Sequence, residues 1–161
     1  MNFVNADMIS AGLSPLKPES VAIEASRVFL SRLRELIARR VNFAFETTLA
    51  GQAYTGLLQR MRDKGYRIHL LFLWVPSPEL ALRRVADRVR KGGHNVPEKD
   101  VRRRFSRGLR NLFSVYKDLC DVIAIFDNSS AHPRLITVLG SRADIVLDVV
   151  AYERICQQGA A

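Results

Sequence analysis

The spacing of apolar and polar positions changes several times along the chain, and each change marks a predicted element. Phe3–Asp7 (FVNAD) is a short apolar run that ends in polar residues and reads as a strand; AGLSPLKPES behind it carries two prolines and reads as loop. From Pro18 to Arg39, Val21, Ala25, Val28, Phe29, Leu33, Leu36 and Ile37 recur at three- and four-residue steps, the signature of an amphipathic helix. VNFAFETT (Val41–Thr48) predicts a strand. Gly51–Lys64 predicts a helix with Tyr54, Leu57, Leu58 and Met61 on one face and Gly65 as its stop.

RIHLLFLWV (Arg67–Val75) is almost unbroken in its apolar character, as a central parallel strand buried on both faces would be. Ser77 before Pro78 predicts a helix start, and Leu80, Val85 and Val89 follow at helical spacing. Asn95 and Glu98 stand at capping-box spacing with Pro97 in the first turn, ahead of a stripe of Val101, Phe105, Leu109, Leu112, Phe113 and Tyr116. VIAIFDN (Val122–Asn128) predicts a strand. RLITVL, a GSRAD turn and IVLDVV then predict a terminal hairpin before a short tail helix. Strands separated by helices of this length indicate an α/β fold: a mainly parallel sheet with flanking helices and a C-terminal β-hairpin, in a single domain over residues 1–161.

Charge changes this picture in one place. The formal net charge is +9, yet Arg83–Arg110 alone holds eleven Lys or Arg against Asp87, Glu98 and Asp100, a local +8. The basic character therefore belongs to one segment and implies a localised anionic partner. Arg103, Arg107 and Arg110 repeat at helical steps, and KGGHNVP before them predicts a bend between two helices, with His94 in the turn, so that residues of about 88–110 form a movable lid. The 161 residues contain no run of eighteen apolar residues and no basic-then-apolar leader, which points to a cytoplasmic protein without a membrane partner. Cys120 and Cys156 lack metal-ligand spacing and read as small packed residues; His69 and His132 suggest no function.

Ligands of parallel α/β sheets bind beyond the carboxyl ends of the strands. Asp7 ends the first predicted strand, Glu46 with Thr47 and Thr48 the second, and Asp127 with Asn128 the fourth. A carboxylate that takes a proton from a hydroxyl, set beside arginines that neutralise phosphoryl oxygens, is what phosphoryl transfer requires. Glu46 follows Phe43, Ala44 and Phe45, and burying its charge there demands a partner or a task.

In this order and at these intervals, NADMISAGLSP, NFAFETTLAG, LFLWVPSPELALRRVADRV, GGHNVPEKDVRRRF and IFDNS resemble the zeta-toxin-like P-loop kinases of bacteria, over roughly residues 2–137. The resemblance implies ATP- and Mg²⁺-dependent phosphorylation of a sugar hydroxyl of UDP-N-acetylglucosamine, and an antitoxin protein as a partner. Asp7 is then similar to the base that receives the hydroxyl proton, and Glu46 with Thr47 to substrate contacts. Arg88, Arg103 and Arg104 are similar to lid arginines on the ATP phosphates, and Asn128 to part of the loop near the nucleotide base.

One departure stands out. The family's strand and G-x-x-x-x-G-K-[ST] loop, whose backbone cradles the phosphates, have no match in these 161 residues. The chain resembles the family domain without its first strand, P-loop and first helix. Such a sheet would expose Phe3 and Val4 along an edge open to self-association, and would bind ATP weakly or not at all. Two other readings stand beside the kinase: a basic module that binds nucleic acid or another polyanion without chemistry, and an inert remnant. Phe105, Phe113 and Tyr116 share the core stripe and leave no aromatic platform for bases, which argues against nucleic acid.

Overall fold

A computed structural model describes residues 1–93, 95–140 and 143–160. His94 and part of the GSRAD turn lie outside the described residues. The chain gathers into two compact units, Met1–Thr47 and Thr48–Ala161.

In the first unit, β1 (Asn2–Val4) passes directly into α1 (Ala6–Leu13). Asn5, in extended conformation between them, accepts a hydrogen bond from the Met8 N–H at 3.0 Å and caps the helix. Two expectations are corrected here. The strand stops at Val4 rather than Asp7, and the beginning of the stretch read as loop is helical. A 3₁₀ turn (Pro18–Val21) leads to α2 (Ala22–Ala38), which buries Ala25, Phe29, Leu33, Leu36 and Ile37 but leaves Val28 exposed.

Strand β2 (Phe43–Phe45) lies parallel to β1, with Asn2 opposite Phe43 and Val4 opposite Phe45. Phe45 meets Phe29 edge-on at a centroid distance of 6.0 Å, which ties this sheet to α2. Of the two β1 residues expected to be bared, Phe3 is 55% exposed whereas Val4 is buried, because successive side chains of a strand point to opposite faces.

The second unit begins its helices with α3 (Thr55–Asp63), which buries Leu57, Leu58 and Met61. Gly65 ends it as predicted: at φ 81° it lets Tyr66 N–H reach the Met61 carbonyl at 3.0 Å while its own N–H donates to Arg62 at 2.8 Å. Strands β3 (His69–Trp74), β4 (Val122–Asp127), β5 (Arg134–Gly140) and β6 (Ile145–Val146) form one sheet in that order. The β3–β4 pair is parallel; β4–β5 and β5–β6 are antiparallel, so the terminal hairpin forms on a mixed sheet.

Strand β3 is an edge strand and not a central one. Leu71 is 69% and Leu73 55% exposed, so the expectation of burial on both faces fails: one face carries the apolar residues without a packing layer over them. Helix α4 (Pro78–Arg90) starts as predicted, with Ser77 Oγ accepting from the Leu80 N–H at 3.3 Å and Pro78 in the first turn. Helix α5 (Glu98–Asn111) starts differently. Pro97, extended, is its cap, and Glu98 turns to Arg102 at 2.8 Å, so the expected capping box with Asn95 does not form. A π turn (Leu112–Tyr116) continues α5; of the predicted stripe Val101, Leu109, Leu112 and Tyr116 are buried, while Phe105 and Phe113 are only half-buried. Helix α6 (Val149–Ala160) closes the chain; its Gly159 faces Phe113, where an added Cβ would come within 2.7 Å of the ring.

Candidate functional site

The first unit brings two of the sequence-derived candidates to one end of its sheet. Asp7 lies exposed in the first turn of α1, three residues past β1, and Glu46 lies exposed one residue past β2, the parallel neighbour of β1. Asn5 joins the two strand ends: its side-chain oxygen caps α1 and its Nδ2 donates to Glu46 Oε2 at 2.8 Å. Glu46 is therefore exposed and held by a partner, contrary to the burial expected from its place after Phe45. Thr47 follows it, half-buried. Asn5 is a site residue with a local sign in the sequence, since an Asn before a hydrophobic stretch is a recognisable helix-start signal.

In the second unit, the loop after Thr47 is fastened to α5 by contacts that no local pattern announced. Leu49, buried, sits at φ 54°, a left-handed conformation that costs a branched residue about 1–2 kcal/mol. Its carbonyl accepts from the buried Asn111 Nδ2 at 2.7 Å, and the Gly51 carbonyl accepts from Tyr116 Oη at 2.6 Å. Between them Gly108 leaves no room for a side chain, since a Cβ there would stand 2.8 Å from the Thr48 carbonyl oxygen. Burial raises the Tyr116 hydroxyl's pKa, keeping it a neutral donor.

Asn128, half-buried, follows β4, and its backbone N–H donates to the Trp74 carbonyl at 2.8 Å, so it sits at the carboxyl ends of β3 and β4. Asp127 Oδ1 accepts from the Ser129 N–H at 2.8 Å and shapes the turn that follows. Arg88 is exposed on the last turns of α4. The glycines after it finish that helix: Gly92, at φ 83°, donates to Val89, and Gly93 donates to the Arg88 carbonyl at 2.9 Å. A Cβ on Gly93 would meet Arg88 Cγ at 2.5 Å. Both glycines thus have a capping task, where the sequence suggested only a hinge.

Helices α4 and α5 are joined by Arg102, which reaches Glu79 and Glu98 at 2.8 Å each; Arg102 holds the Glu79 carboxyl below its usual pKa range. Arg103 is exposed and paired with Asp100 at 2.7 Å, while Arg104 is exposed with no ion pair among the described residues. The candidate residues therefore fall into two sets: Asp7, Glu46 and Thr47 in the first unit, and Arg88, Arg103, Arg104 and Asn128 in the second. Burial pushes the Cys120 thiol up to about 11, which suits a packed residue and not a nucleophile. Among the described residues, no group of three His, Cys, Asp or Glu could hold a metal ion, and no helix is long and apolar enough to cross a membrane.

Comparison with known proteins adds to this geometry. The family model of the zeta toxin matches residues 12–133. An uncharacterized protein of Haemophilus influenzae is 26% identical over 102 residues, which cover 63% of this chain and 73% of that one. A chain from the structural characterization of the PezAT chromosomal toxin–antitoxin system of Streptococcus pneumoniae has a similar fold, with a TM-score of 0.62 at 14% identity over 98% of this chain and 72% of its own.

Proposed function

This chain belongs to the zeta toxin family, whose model spans residues 12–133, and on that premise we propose that it serves ATP-dependent phosphotransfer to a hydroxyl of a small nucleotide-linked sugar. UDP-N-acetylglucosamine is the acceptor the family implies. The observation that carries the proposal is the junction at the ends of β1 and β2, where Asn5 holds the Glu46 carboxylate at 2.8 Å two residues from Asp7 in the chain. Asp7 receives the acceptor hydroxyl's proton, and Glu46 and Thr47 contact the acceptor. Arg88, Arg103 and Arg104 meet phosphate oxygens, for which planar guanidinium groups are well matched, and Asn128 lies near the nucleotide base. In this reading residues 1–161 act as one cytoplasmic kinase domain with residues of about 88–110 as its lid. An antitoxin protein is the partner class suggested by the likeness to a toxin–antitoxin chain.

Zeta-toxin family kinases generally use ATP and Mg²⁺. The residues of this chain do not fit that pair fully. The arginines offer donors to phosphates, but these 161 residues contain no match to the G-x-x-x-x-G-K-[ST] loop that cradles them. Weak nucleotide binding is the consequence. Calorimetric titration tests both halves of the reading. UDP-N-acetylglucosamine is expected to bind, with about a tenfold loss in Glu46→Ala, whereas ATP with millimolar Mg²⁺ is expected not to saturate below millimolar concentration. No acceptor binding would overturn the kinase reading; micromolar ATP affinity would overturn the weak grip.

A further inference from the structure

We propose that the outward face of α5 is a docking surface for the phosphate backbone of double-stranded nucleic acid, bound without regard to sequence. Lys99, Arg103 and Arg107 follow one another at four-residue steps, with Arg110 next along the same face; all four are exposed. Four residues of helix rise about 6 Å, so the stripe from Lys99 to Arg110 runs about 16 Å. That is longer than the polyphosphate tail of one nucleotide, whereas each strand of a duplex carries a phosphate for about every 3.4 Å of its axis and so presents several over this length. A polymer of phosphates fits this length.

The three acids of the segment offset only part of this charge: Asp87 is engaged by Arg90, Glu98 by Arg102 and Asp100 by Arg103 of the stripe itself. Among the described residues that leaves Arg83, Lys91, Lys99, Arg104 and Arg107 without an ion pair on two helices that Arg102 joins through Glu79. Such unpaired like charges repel one another along the helix, and a polyanion relieves that repulsion while releasing its own counterions.

The face also indicates what kind of polyanion fits. Helix α4 has no aromatic residue, and the one aromatic residue of α5, Phe105, is half-buried on the side toward the core. Bases therefore have no stacking platform, which disfavours single strands but leaves the backbone of a duplex as a target. A protein partner would bring an apolar centre to its interface. The stripe offers none: between Lys99 and Arg110 its exposed positions are Arg103, Ser106 and Arg107.

Fluorescence anisotropy with a labelled duplex DNA of about two helical turns tests the proposal on the whole chain. Binding at low salt is expected, equal for unrelated sequences, with log K falling against log salt at a slope of about −3 to −4. Lys99→Glu with Arg107→Glu should weaken it by at least about tenfold and make the slope shallower by about 2. A charge-matched pair on α2, Arg27→Glu with Arg34→Glu, should leave it unchanged, and Lys99→Arg with Arg107→Lys should retain it. Circular dichroism is expected to show both Glu pairs folded; if one is not, the retained binding of the Arg/Lys exchange together with its loss in Lys99→Gln and Arg107→Gln decides. No binding at low salt, equal loss from the α5 and α2 pairs, tighter binding of single strands, or polyglutamate competing as well as duplex at equal charge would each overturn the proposal.

Discussion

On its inward side α5 meets the Thr48–Gly51 loop through Gly108, too close for any side chain, and through Asn111, whose amide holds the Leu49 carbonyl at 2.7 Å; on its outward side the same fourteen residues present Lys99, Arg103 and Arg107 to solvent. The inward face depends on shape and on satisfying buried polar groups. A small change there leaves an atom overlapping or a carbonyl unpaired. The outward face carries exposed charge without packed partners, so its residues can be exchanged with little effect on folding. One helix thus divides its sequence between holding a loop and presenting cations to solvent.

That division can be broken from either side. The largest effect is expected from Gly108→Val, whose side chain would drive into the Thr48 carbonyl: about 2–3 kcal/mol of stability lost in urea denaturation, with the midpoint lowered and the m-value kept. Asn111→Ala comes next, at about 1–2 kcal/mol, because it strips the Leu49 carbonyl of its donor in a residue already at φ 54°. Lys99→Glu with Arg107→Glu is expected to shift stability by no more than about 0.5 kcal/mol, as exposed substitutions without packed partners do. If the charge pair destabilised the chain as much as Asn111→Ala, the two faces would not be separate in function.

Much of this fold could be read from local pattern, and the failures share a cause. Gly65 as a helix stop, Ser77–Pro78 as a helix start and the buried stripe of α5 rest on residues within a turn or two of one another, and all three are found. The contact of Asn111 with Leu49 spans 62 positions, and neither residue carries a local mark of it. Leu71 and Leu73 read as buried because their strand is apolar throughout, yet burial depends on what packs over a strand, and β3 lies at the edge of its sheet. Asn5 was within reach of sequence reasoning: its capping of α1 is local, but the apolar run of β1 masked it. At the site, Glu46 follows a strand as expected, whereas Asp7, expected to end one, lies in the first turn of α1, and the hydrogen bond from Asn5 that holds Glu46 carries no local mark.

The kinase reading turns on Asp7, and one measurement addresses it directly. In a form of the protein preceded by a strand and a G-x-x-x-x-G-K-[ST] loop, phosphate transfer from ATP to UDP-N-acetylglucosamine is compared between Asp7 and Asp7→Asn, with ATP affinity measured on the same samples. Turnover is expected to fall by about 10²–10⁴-fold in Asp7→Asn while ATP affinity is unchanged. Equal turnover in the two forms would contradict the role of Asp7 as the base.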